Sequence, residues 1–345
     1  MRSPGSVAAI GALGVAAMLG LGACSSSAGT GTDTSTPGAA TPGTNADSGR
    51  VLLALPDSRP GDVIALRAGD NGSTIEWIDR RAGTIRAIDV SAATEDPSSL
   101  DADDIETLAT IEVGIEGEQR GLLGHTVIDG VRYAAWTDPD TFDLLVGEVG
   151  PGGVERVVWD GGGTAGGAVG GHLEAGGDGQ LILGIGQLTD WARTNGSGAL
   201  LQLDPDGPAD QEPVIVSDGY VNPFAFAVAG EPPGAGELWV ADNAVGDDVE
   251  RIGRGDLADR DELTATGRDP RAPSALIVLP GGSTDPVRLG VCGFLDAQLL
   301  PWPTGASTGA SGYGASLGPC LTGAAVLADG TIVTATADGL VRLRT

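Results

Sequence analysis

The 345-residue chain carries 58 Gly and 21 Pro against an aromatic content of 4%, a composition that favours many tight turns over long helices. Its 47 acidic residues outnumber 19 basic ones, every one of them arginine, for a formal charge of −28, which excludes Schiff-base and Walker-type lysine chemistry. A field this negative repels phosphate backbones and anionic lipid surfaces, so no nucleic-acid partner is expected and any charged partner should be cationic. At 41% hydrophobic, the chain can bury a sizeable core as one large domain or as a repeat array.

Residues 1–23 read as a signal peptide: Arg2, an apolar run from Val7 to Leu19, then Leu21-Gly22-Ala23-Cys24. The run is too short to span a bilayer comfortably, and its ending resembles a bacterial lipobox, in which the leader is cut before an acylated cysteine. Cys24 is therefore expected to carry the lipid that holds the protein to the bilayer on the extracytoplasmic face of a bacterial membrane. Residues 24–49, Ser, Thr, Gly, Ala and Pro with almost nothing to bury, read as a flexible tether. Cys292 and Cys320 lie in no C-x-x-C or Cys/His cluster, and in an oxidising compartment they read as a disulfide.

From residue 50 to 345 the apolar runs are short, alternating and separated by Gly, Asp and Pro, an all-β pattern. Four segments repeat a turn followed by a strand: Asp129-Gly130 before VRYAAWT, Asp178-Gly179 before QLILGIG, Ala235-Gly236 before ELWVADN and Asp329-Gly330 before TIVTATA. The turn glycines are spaced 49, 57 and 94 residues apart, the last interval being about two units with one weak copy missed. Division by a unit of about 49 residues gives about six units, which predicts a six-bladed β-propeller. Asp338-Gly339 followed by LVRLR predicts a C-terminal closing strand that pairs with the first blade.

Three segments, EQRGLLG at 118–124, GGHLEAGGDGQLILGIGQ at 170–187, and NPFAFAV at 222–228 leading to GELWVADNAVGDDVERI at 236–252, together with LDPDG at 203–207, resemble the PQQ-dependent soluble aldose (glucose/sorbosone) dehydrogenase family. The resemblance implies a propeller carrying PQQ and a calcium ion, a His base oriented by an Asp, and an Arg that holds the reacting groups. It places the base at Ala168, the orienting carboxylate at Gln187 and the cation at Val221, so none of the three family side chains is present. His172 is then either a substitute base or a histidine packed within a blade, the second being the expectation, and His125 reads as structural. Gln119, Trp191, Arg193 and Asn222 are the ligand-binding candidates, the tryptophan and arginine on an insertion at 188–198. The family's calcium loop falls on Asp242, Asn243, Asp247 and Asp248, which read as a metal site or as a solvated turn.

General acid–base catalysis contributes about 10²–10⁴ in rate, so loss of the base, its orienter and the cation points to a surface-anchored binding or accessory lipoprotein with a small-molecule or carbohydrate ligand. The alternative is an active PQQ-dependent oxidoreductase acting on sugars or alcohols through a rearranged site. A protein-interaction platform would instead show an apolar patch and no concave pocket.

Overall fold

The structure, a computed structural model, describes residues 49–343 except 56–57, 60, 92–99, 118, 165–168, 188–195, 230–235, 245–248, 257–262, 267–270, 282–285 and 305–311. The described residues form six four-stranded antiparallel sheets and one turn of 3-10 helix at Ala102–Asp104, with no helix long and apolar enough to cross a membrane. Each sheet is one blade of a propeller: blade 1 spans 63–110, blade 2 122–163, blade 3 170–217, blade 4 225–265 and blade 5 273–319. Blade 6 combines the last three strands, 323–343, with Gly49–Ala54.

The first strand of each blade lies innermost, and these strands meet their neighbours in a closed ring around the axis. They are Val63–Ala68, Leu122–Ile128, Gly170–Ala175, Ala225–Val228, Pro273–Val278 and Gly323–Val326. The chain enters all six from one face, here the upper face, and leaves them at the lower one. The four repeated turns of the sequence, at Gly130, Gly179, Gly236 and Gly330, all join an inner strand to the second strand of its blade, hence all lie on the lower face. Each of these glycines has a positive φ, and Asp329 braces its turn by accepting a 2.8 Å hydrogen bond from the Thr331 backbone. The missed copy is the turn between the first two strands of blade 5, where Pro280-Gly281 replaces the Asp-Gly pair.

The closing strand corrects one expectation. Gly339–Leu343 pairs with Gly49–Ala54, the first described strand of the chain, but that strand is the outer strand of blade 6 and not part of blade 1. The ring is therefore sealed by backbone hydrogen bonds between the first and last described strands, which complete blade 6 as a four-stranded sheet.

Packing between blades supplies the core. Trp77 fills the layer between blades 6 and 1 among Leu53, Ile75, Val333 and Leu340, while Trp159 lies between blades 2 and 3 against Leu183 and Leu201. Near the axis the inner strands approach too closely for side chains: a Cβ on Gly124 would lie 2.4 Å from the Gly171 carbonyl oxygen. Gly170 and Gly171 take positive φ, and the pairing of blade 3's first two strands slips between Gly170 and Leu173.

Candidate functional site

On the upper face, the connections into the inner strands and the ends of the second strands converge on a cavity of about 370 Å³ at the propeller axis. Its polar wall includes Arg80, Gln119, Asn222 and Asn243, and its apolar wall includes Ile64, Leu123, Phe224 and Phe294. The topology thus brings together Gln119, Asn222 and Asn243, three of the residues singled out in the sequence. Arg80, Phe224 and Phe294 were missed. Phe294, 46% exposed on a two-strand turn of blade 5, is an aromatic surface open to a ligand.

Asp242, at the end of the second strand of blade 4, fixes the wall at Asn222. Its buried carboxylate accepts hydrogen bonds from the backbone N–H of Val221 at 3.0 Å and of Asn222 at 2.8 Å, and the Asn243 N–H closes back on the Asn222 carbonyl at 3.1 Å. The preceding Tyr220 is fully buried with its hydroxyl 2.9 Å from Ser217 Oγ, and burial pushes its pKa up to about 12. Held this way, Asn222 is only 6% exposed, yet its side-chain Oδ1 has no hydrogen-bond partner among the described residues. Asn222 lines the cavity, and the amide oxygen buried behind that wall is an unmet acceptor, which costs about 1–3 kcal/mol while it stays unpaired.

The cations around this cavity are already engaged with groups of the protein. Arg80 donates to Asp62 at 2.9 Å and to the Arg120 carbonyl oxygen at 2.9 Å, and Arg81 also faces Asp62, at 3.6 Å. Arg120 is spent on the carbonyl oxygens of Glu116 and Thr164 and lies over the Phe142 ring. Arg271 pairs with Asp296, and its backbone N–H, with that of Ala272, is held by the buried Glu250 carboxylate. Burial dominates over those hydrogen bonds and raises the Glu250 pKa.

The remaining sequence candidates separate. Val221 is buried beside the cavity, and Gln187 is exposed, its backbone N–H donating to the Val221 carbonyl at 2.8 Å. His172 is not in this cavity: the bulge at the start of its strand turns it into a second, lower chamber, where Nε2 lies 3.1 Å from Glu174 and its ring packs edge-on against Phe226. It is separated from the upper cavity by Phe224, whose ring centre is 5.9 Å away, which argues against its service as a substitute base there. Cys24, Ala168, Trp191, Arg193, Asp247 and Asp248 lie outside the described residues. Asp242, of the calcium candidates, turns its carboxylate to backbone amides, and no three His, Cys, Asp or Glu side chains gather as a metal site among the described residues.

His125 is structural, as its position in the sequence implied. It is buried between blades 1 and 2, with Nε2 3.0 Å from the Ala65 carbonyl oxygen and Nδ1 3.7 Å from Glu76. Burial, reinforced by Arg67 and Arg132, holds its pKa well below the usual 6.5. Below pH 6.5 the unfolded chain takes up a proton that native His125 refuses, so stability present above that pH is lost as pH falls from there towards the lowered native value. Denaturation across this window should show the slope, and His125→Gln should flatten it; equal slopes contradict the assignment.

No protein-family model matches the sequence, and no curated protein matches it. Solved structures do. The PQQ-bound aldose sugar dehydrogenase of Streptomyces coelicolor superposes with a TM-score of 0.63 at 18% identity, covering 86% of this chain and 98% of that one. A Thermus thermophilus protein assigned as an oxidoreductase (glucose dehydrogenase) superposes with a TM-score of 0.61, also at 18% identity, over 86% and 99% of the two chains. The chain resembles the PQQ-dependent aldose sugar dehydrogenases, and at this identity the likeness establishes a shared six-bladed fold.

Proposed function

We propose that the protein is a lipid-anchored extracytoplasmic binding protein whose upper cavity takes a small neutral polyhydroxyl ligand, a carbohydrate or related polyol, without oxidising it. The observation that carries this reading is the buried, unpartnered Asn222 Oδ1 in a cavity whose surrounding arginines are already paired. A hydroxyl satisfies that acceptor, and Phe294 offers a surface for the apolar face of a ring. A concave cavity of this kind also favours a ligand-binding role over a flat protein-interaction platform.

PQQ does not fit the described residues. It would supply hydride acceptance, but its carboxylates would compete with Asp62 for Arg80, and Val221 stands where the resemblance places a cation. Gln187 likewise replaces the carboxylate that would orient a base. No reaction step is therefore assigned through the quinone.

Binding of a neutral mono- and disaccharide panel, followed by calorimetry, tests the cavity. Asn222→Leu is expected to weaken the best ligand about tenfold, one lost hydrogen bond to a buried acceptor, with the thermal midpoint little changed. Unaltered affinity in that variant would remove the site. The anchor is tested separately: Cys24→Ala should move the protein from the membrane to the soluble fraction, and persistence on washed membranes contradicts lipidation.

A further inference from the structure

The lower half of the propeller axis holds a second chamber of about 710 Å³, divided from the upper cavity by the Phe224–His172 contact and sharing only the wall at Ser274 with it. We infer that this chamber is a separate binding site for a small organic carboxylate with an aliphatic body.

Charge carries the argument first. In a chain where acids far outnumber bases, the charged side chains lining this chamber are two arginines, Arg67 and Arg288, against one carboxylate, Glu174, among the described residues. Glu174 is occupied by His172 at 3.1 Å. Arg67 leans on Glu76 at 3.0 Å, but Glu76 is shared with Arg132 at 2.7 Å, so two guanidiniums face one buried carboxylate and the group keeps a net positive charge. Asp70, 3.7 Å from Arg67, is 74% exposed and screened by water. His125, the remaining titratable neighbour of Glu76, stays neutral because burial holds its pKa down. Arg288 stands exposed on the rim with no ion-pair partner among the described residues. The local sign is thus opposite to that of the whole chain.

The rest of the wall selects the body of the ligand. Val228, Ile277, Val287, Val326 and Leu327 present aliphatic surface, so a bare inorganic anion would leave most of the chamber unfilled. A carboxylate at Arg288, in the positive field to which Arg67 contributes, with its chain against these side chains satisfies both features.

Octanoate and 1-octanol are the probes, titrated calorimetrically into the full chain carrying Cys24→Ala so that neither acyl chain nor detergent competes. Octanoate is expected to bind saturably at one site, 1-octanol at least tenfold more weakly. Arg288→Ala, on an exposed side chain, should weaken octanoate at least fivefold, Glu174→Gln should strengthen it, and Asn222→Leu should leave it unchanged. Equal affinity for acid and alcohol, an unaffected Arg288→Ala variant, loss of octanoate binding in Asn222→Leu, or no saturable octanoate binding at millimolar concentration would each overturn the inference. Its failure leaves the upper cavity untouched, since sugar binding there is read independently.

Discussion

Asp242→Ala should cost about 3 kcal/mol or more in folding stability and abolish ligand binding at the upper cavity. The carboxylate satisfies the backbone N–H groups of Val221 and Asn222 in a fully buried setting. Alanine leaves both donors unpaired where water cannot replace the acceptor, and each orphaned buried donor costs about 1–3 kcal/mol. The second consequence is local. Segment 220–223 loses the contact that sets its path, so the Asn222 side chain no longer holds its place in the wall. Asp242→Asn keeps one acceptor oxygen and is expected to recover part of the stability. Urea denaturation of the three proteins, alongside calorimetric titration of the best sugar, reads both effects; a stable alanine variant that still binds would show that the carboxylate does not organise the site.

Removal of the Cys292–Cys320 disulfide should destabilise the domain by about 3.5 kcal/mol in the chain-entropy view. Cys292 lies on the second strand of blade 5, and Cys320 directly follows that blade's last strand, so the bond ties the blade's interior to its exit towards blade 6. Between them runs the long Gly-, Ser- and Pro-rich stretch of the chain, whose loop freedom in the unfolded state the cross-link restricts. Both sulfurs are completely buried, so reductant should act only through unfolding. The double variant Cys292→Ala/Cys320→Ala should show a lower urea midpoint, and the native protein no titratable thiol at either position without reductant. Two free thiols, or an unshifted midpoint, contradict this.

The fold was legible because each blade needs the same tight reversal at the lower face, and Asp-Gly supplies its backbone at three of those turns, Asp129-Gly130, Asp178-Gly179 and Asp329-Gly330. Blade 5 escaped that pattern because a longer, proline-containing connection serves there. The closing strand was visible as a strand, but its partner was not, because the sequence alone does not say which blade the N-terminal strand completes.

The site was legible only in part, for physical reasons that differ by residue. Gln119 and Asn222 stood out by motif, whereas Arg80 and Phe294 reach the axis from the far ends of second strands, a proximity set by ring closure and not by local pattern. The pairing of Arg80 depends on Asp62, 18 positions away, and no periodicity encodes it. His172 misleads because the slip in pairing at Gly170–Leu173 breaks the two-residue alternation that would have shown which way it points. The role of Asp242 was hidden for a related reason: an acidic residue in a turn reads equally as a metal ligand or as a backbone acceptor, and burial decides between them.

Quinone-dependent sugar oxidation is the measurement that bears most directly on the central claim. Purified protein is incubated with excess PQQ and calcium, and sugar-dependent dye reduction is followed across a panel of aldoses, with the Streptomyces coelicolor aldose sugar dehydrogenase as the positive control. With no base at position 168, no carboxylate at 187 and no cation at 221, the rate should not rise above the protein-free mixture, although the same sugars bind in calorimetry. Robust PQQ-dependent dye reduction with any of them would contradict the account and make the protein an oxidoreductase with a rearranged site.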